Sequence, residues 1–157
     1  MRTRRLLLIT GIPGTGKTTV GDHLAERHGF RHVNREVHEP RIFTDDPRRF
    51  LEETPSDVVA TWGFRPLAPE DVAGVVGLCS LGFRGVWFDG YRPWALRQVI
   101  ESPTKSESDF YLQMRNVEIS GIRQTIQFPT VDPFTPSGEF REKTAIAQEL
   151  LAMFEGL

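Results

Sequence analysis

The segment Gly11-Ile12-Pro13-Gly14-Thr15-Gly16-Lys17-Thr18 constrains this chain more than any other. It satisfies the pattern G-x-x-x-x-G-K-[ST] in full, and its surroundings suit the pattern. An apolar run, Leu6–Thr10, leads into it, and a segment of helical spacing, Lys17–His28, leads out, with Val20 and Leu24 inward and Gly29 as the stop. Glycines at these positions permit positive φ and let successive backbone N–H groups turn into a concave anion nest. The following helix N-terminus adds its partial positive charge at the same place. A strand, a glycine-rich turn and a helix in this order predict a phosphate cradle built from Gly11 to Thr19. Lys17 would reach the outer phosphates and the Thr18 hydroxyl a bound Mg²⁺.

The rest of the chain reads as alternating strands and helices. Short β-rich runs fall at Leu6–Thr10, Phe30–Val33, Asp57–Thr61, Gly85–Phe88 and Thr125–Phe128. Their nearly continuous hydrophobicity suits parallel strands covered on both faces. Pro69, with Glu70 and Asp71 behind it, opens a helix whose apolar face is Val72, Val75, Val76 and Cys79, and Gly82 ends it. A second helix opens at Ser106-Glu-Ser-Asp109 and turns Phe110, Met114 and Val117 inward. The last follows Pro136-Ser137-Gly138 with Ile146, Ala147, Leu150, Leu151 and Phe154. Arg35–Thr54 and Ser102–Ser106 read as irregular segments suited to substrate contact and a lid. The pattern predicts an α/β three-layer sandwich with a five-stranded, mainly parallel sheet.

The 157 residues suit one domain, 1–157, with a short lid at about 101–108. Charged residues at 25% and hydrophobic ones at 39% exclude a wholly disordered chain. A formal charge of −2 gives no footprint for sequence-independent nucleic-acid binding. The lone Cys79 cannot close an intramolecular disulfide, and the histidines His23, His28, His32 and His38 have no zinc-ligand spacing, so surface or capping roles are expected of them. Arg2 to Arg5 before Leu6-Leu-Leu-Ile9 imitates a secretory leader, but the apolar run is too short and ends in glycines and Lys17. A cytoplasmic protein without a membrane partner is the expectation, and the sequence says nothing of oligomeric state.

With the loop and the strand order in hand, the chain resembles small P-loop kinases of the gluconate kinase and shikimate kinase type, part of the adenylate kinase-like group. Three stretches carry the resemblance besides the loop. His32-Val-Asn-Arg-Glu36 followed by Pro40 is similar to the gluconate kinase strand that ends in D-x-D shortly before a proline. Gly85-Val-Trp-Phe-Asp-Gly90 looks like the fourth strand leading to the lid helix, and Phe110-Tyr-Leu-Gln-Met114 looks like the segment after the lid. The resemblance implies a P-loop nucleoside triphosphate hydrolase fold, ATP and Mg²⁺ as cofactors, and transfer of the γ-phosphoryl group to a small hydroxylated acceptor.

It also implies roles residue by residue. Asn34 and Glu36 stand where the family has its two acids, so Glu36 would be the catalytic carboxylate and Asn34 a hydrogen-bonding substrate contact. The lid stretch Ile100–Lys105 offers Lys105 in place of the family's arginines, leaving Arg97 for charge neutralisation and Arg92 for substrate phosphate. Phe88-Asp-Gly-Tyr-Arg92 is also similar to the adenylate kinase segment D-G-F-P-R, which would make Asp89 a metal-holding acid. Alternatively, Asp57–Thr61 is the strand beside the phosphate loop, and Thr61 or Arg65 serves the Mg²⁺ shell or the acceptor. The thin supply of lid arginines, with Asn34, leaves open a nucleotide-binding or regulatory protein without fast transfer. A nucleotide or polynucleotide kinase is a further alternative.

Overall fold

The computed structural model describes residues 4–11, 16–35, 46–63, 69–88, 128–137 and 139–155. The described elements follow one another as β1 (Leu6–Gly11), α1 (Lys17–His28), β2 (Arg31–Asn34), α2 (Pro47–Glu53), β3 (Val58–Thr61), α3 (Pro69–Ser80), β4 (Arg84–Phe88), β5 (Thr130–Val131) and α4 (Lys143–Glu155). The five strands form one parallel sheet in the order β2-β3-β1-β4-β5. The phosphate-loop strand is therefore central, with β3 on one side and β4 on the other. This is the architecture of a P-loop nucleotide-binding fold.

Burial on both faces explains the continuous hydrophobicity of β1, in which all six residues are buried. Alternate side chains serve opposite layers. Leu7 and Ile9 pack with Val20 and Leu24 of α1 and Ile146 and Leu150 of α4. Leu6 and Leu8 pack with Phe50 and Leu51 of α2 and Val75 and Leu78 of α3. Two helices on each face make the third layer the sequence pattern requires.

Four local expectations are corrected. Of the expected strand Thr125–Phe128 only Phe128 is described, and it lies outside the last described strand, Thr130–Val131, where Trp87 N donates to the Pro129 carbonyl at 2.9 Å. The Phe128 ring instead fills the space over Gly85, where a Cβ would overlap it. The segment Arg35–Thr54 contains α2, whose first turn is capped by the Asp46 carboxylate accepting from Arg49 N at 3.2 Å, with Pro47 at the first helical position. Val76 is 51% exposed, because the inward stripe of α3 centres on Val75 and Leu78 and a residue advances by roughly 100° around the helix. Cys79 is half-buried at the edge of that stripe, not in the core, and burial raises its thiol pKa. The helix expected after Ser106 and the lid at about 101–108 lie outside the described residues.

His23 and His32 are not surface residues either. His23 is buried on α1 with the His28 ring edge-on at 5.9 Å. Burial, reinforced by the positive charges of Lys143, His28 and Arg27 and opposed by Glu26, lowers its pKa below the usual histidine value of 6.5. A group that protonates less readily when folded contributes stability above its unfolded pKa and loses it as pH falls toward the folded one. The melting temperature should therefore drop as pH falls from 6.5 toward the lowered value, and His23→Gln should flatten that dependence in thermal melts. An unchanged slope in the variant would place the acid sensitivity elsewhere.

Candidate nucleotide site

The carboxyl ends of β2, β3 and β1 are held level by backbone bonds that continue past the strands. Trp62 N donates to the Ile9 carbonyl and Arg35 N to the Thr61 carbonyl, both at 3.0 Å. The register places Thr61 opposite Ile9 on one side and Asn34 on the other. Residues that leave these ends, or project from them toward α1, therefore share one rim of the sheet.

At the mouth of β1, Gly11 takes φ 142 and lies so close to β4 that a Cβ would overlap the Phe88 carbonyl oxygen. A side chain here would strain the backbone and push the loop strand off its neighbour. Gly16 ends the loop as the N-cap of α1 in the left-handed region, with φ 82, and the Phe140 ring occupies the place a Cβ would take. Gly16 has no side chain with which to cap this helix end. Its N–H groups and dipole are thus left for an anion.

Lys17 is buried, and its ammonium donates to the Gly11 carbonyl at 3.0 Å. The side chain thus turns back toward Gly11, the last residue of β1. Thr18 is exposed on the next position of α1, and the Asn34 amide Nδ2 donates to its Oγ1 at 3.2 Å. Asn34, expected as a substrate contact, is bound up with the hydroxyl expected to hold a metal. A hydroxyl oxygen has two lone pairs, so this bond leaves one for a further ligand. Thr19, expected to line the cofactor, is exposed next to Thr18.

Thr61 is 1% exposed and faces α1 from the end of β3. Its Oγ1 lies 2.8 Å from His32 Nε2, and His32 Nδ1 lies 2.8 Å from the Asp22 carboxylate. Neither Asp22 nor His32 was singled out as functional from the sequence. The available signal was their pattern: Thr18, Gly21 and Asp22 share one edge of α1, while His32 and Asn34 alternate onto one face of β2. Trp62, which follows Thr61, turns to the other face. With Asp46, Arg48, Gly74 and Leu78 it lines a cleft of about 420 Å³ between α2 and α3. Ile12, Pro13, Gly14, Thr15, Glu36, Arg65, Asp89, Arg92 and Arg97 lie outside the described residues. Among the described residues, no three His, Cys, Asp or Glu side chains gather to hold a metal.

Comparison with solved structures decides what kind of fold surrounds this site. A gluconokinase from Sinorhizobium meliloti 1021 superposes with a TM-score of 0.55 at 18% identity, covering 97% of this chain and 92% of its own. A shikimate kinase from Acinetobacter baumannii in complex with shikimate gives 0.64 at 17% identity, covering 98% and 94%. The chain has the fold of the small P-loop kinases. A YorR protein from Bacillus subtilis in complex with phosphorylated GDP shares it with a TM-score of 0.58, 10% identity and 95% of each chain covered. A family model described as an AAA domain matches residues 7–62, the stretch from β1 to the residue after β3. No curated protein matches. Among the described residues no helix is long and apolar enough to cross a membrane.

Proposed function

We propose that this protein is a single-domain, ATP-dependent kinase, acting in the cytoplasm, that transfers the γ-phosphoryl group to a small hydroxylated acceptor. The observation that carries this reading is the buried Lys17 ammonium, which donates to the Gly11 carbonyl at 3.0 Å from the first position of α1, beside the left-handed Gly16. An ammonium beside the amides of a helix N-terminus matches the charge and the acceptor oxygens of a nucleotide phosphate placed on the nest. The neighbouring relatives fit the same chemistry, since a gluconokinase and a shikimate kinase share the fold.

The donor would lie with its phosphates on the loop amides, Lys17 neutralising charge on the outer phosphates. Mg²⁺ fits the Thr18 hydroxyl, an oxygen with a lone pair to spare beside the Asn34 bond, because this ion keeps waters and takes phosphate oxygens with few protein ligands. When bound it would shield the phosphate charges, with Thr18 and the candidate Asp89 as its protein contacts. Asn34 would hold the Thr18 hydroxyl in place from β2. Glu36, two residues beyond Asn34, would orient the acceptor hydroxyl and take its proton. Arg65, Arg92 and Arg97 are the candidate cations for the acceptor and for charge built up during transfer. Most of the rate enhancement would come from positioning and charge neutralisation.

The test is ATP turnover over sugars, sugar acids, nucleosides and antibiotics, with product followed by phosphorus NMR. The expected result is turnover that depends on one of these acceptors. Tight ATP binding with turnover at background for the whole panel would favour a nucleotide-binding regulator instead.

A further inference from the structure

The Asp22, His32 and Thr61 side chains form a chain of contacts that the transfer reaction, as laid out above, does not use. All three lie where α1 crosses the carboxyl ends of β2 and β3. On the inner side α1 buries Val20 and Leu24, but along this edge it presents Thr18, Gly21 and Asp22. The His32 ring lies flat against Gly21: a Cβ there would stand 2.6 Å from Nε2, 2.8 Å from Cε1 and 2.9 Å from Cδ2. The absence of a side chain at Gly21 is what lets an imidazole pass beneath the helix. One turn earlier, the Asn34 amide reaches Thr18 from the next inward position of β2.

The hydrogen bonds have a direction. A carboxylate only accepts, so the neutral His32 ring carries its proton on Nδ1 and donates it to Asp22. Nε2 then accepts from the Thr61 hydroxyl, which is buried and gains a partner it would otherwise lack among the described residues. Asp22 is 60% exposed on its side chain, whereas His32 is 9% exposed. A contact to so exposed a carboxylate adds little to stability, so its value lies in orientation.

We propose that His32 is a positioning residue that, held between Asp22 and Thr61, locks the first two turns of α1 to β2 and β3 and so sets the Thr18 hydroxyl for the cation of a bound metal–nucleotide. The proposal rests on the nucleotide-binding part of the function proposed above and not on acceptor transfer. Groups that orient a metal contact from behind govern metal affinity more than they govern folding.

Binding of a fluorescent ATP analogue, measured in Mg²⁺ and in EDTA, separates the two. In Asp22→Ala the gain in affinity conferred by Mg²⁺ should fall by roughly 10-fold, while affinity in EDTA stays at the wild-type value. Asp22→Asn keeps an oxygen that accepts from His32 Nδ1 and should restore the gain. Asp22 is exposed, so its alanine variant remains folded. Side-chain ¹⁵N NMR of the wild-type protein should show His32 protonated on Nδ1, moving toward the Nε2–H tautomer in Asp22→Ala. A full Mg²⁺ gain in Asp22→Ala, or an Nε2–H tautomer in the wild type, overturns the proposal. A wild-type chain that gains nothing from Mg²⁺ overturns it as well. Mg²⁺-dependent binding without any phosphorylated acceptor sinks the kinase reading alone.

Discussion

Replacing Lys17 by Met is expected to lower kcat/KM for acceptor phosphorylation by about 100- to 1,000-fold, the cost of losing one preorganised charge from a phosphoryl-transfer site. The melting temperature should not fall with it. Lys17 is only 8% exposed, so the fold carries an ammonium largely withdrawn from water, and the flexible methionine keeps its apolar stem. Loss of function with no loss of stability would mark Lys17 as a group that serves a ligand rather than the fold. Lys17→Arg should fare little better. The guanidinium is a rigid planar fork and cannot occupy the point position 3.0 Å from the Gly11 carbonyl. Steady-state kinetics together with calorimetric ATP titration separate the two stages at which the charge acts. Wild-type affinity and turnover in Lys17→Met would remove the loop from the proposed chemistry.

How far the sequence could be read depended on how local each determinant is. The bounds of α1 follow from the glycines that flank it, Gly16 and Gly29, both of which adopt positive φ. The inner strands follow from apolar runs that only a doubly covered sheet explains. Helix α2 escaped notice because two adjacent buried residues, Phe50 and Leu51, are too few to show a period. Its Asp46-Pro47 start was the legible signal, and it is a cap rather than a pattern. The strand Thr130–Val131 was not legible because Pro129 cannot donate to a ladder, which ordinarily argues against a strand; here its carbonyl accepts from Trp87.

The site was legible where a contiguous motif encodes it and silent where distant residues meet. Lys17 and Thr18 stand in a pattern of eight residues. Asn34, a departure from the two acids of the resembling family, read as a loss of charge, yet its amide lies 3.2 Å from the Thr18 hydroxyl. Nothing local to residue 34 announces residue 18. The same holds for His32, whose partners are separated from it by 10 and 29 positions. Polar contacts between a helix edge and a strand face require the crossing geometry, and periodicity supplies only the two faces.

At the amino end of the sheet, Asp57→Ala is expected to cost about 3 kcal/mol, near the lower bound for breaking a buried pair. The Asp57 side chain is 4% exposed and accepts three bonds from Arg5: the backbone N at 2.7 Å, Nε at 2.8 Å and Nη2 at 2.8 Å. Arg5 in turn lies over the Phe30 ring at 4.8 Å. Truncation would leave a partly buried guanidinium and a backbone N–H without this carboxylate. Arg5 keeps 20% side-chain exposure, so water offsets part of the loss and the lower figure applies. For a chain of this length that is a drop of roughly 6–12 °C in Tm. Asp57→Asn retains an acceptor for the Arg5 backbone and should lose less than half as much. The clamp joins the amino ends of β1 and β3, where Val58 N also donates to the Arg5 carbonyl at 3.0 Å, while Thr61 and Asn34 occupy the carboxyl ends. Nucleotide affinity measured well below the transition should therefore match the wild type. A Tm within experimental error of the wild type would show that the pair is replaced by solvent at no cost. A fall in affinity with the fold intact would show that the two ends are coupled through the strands.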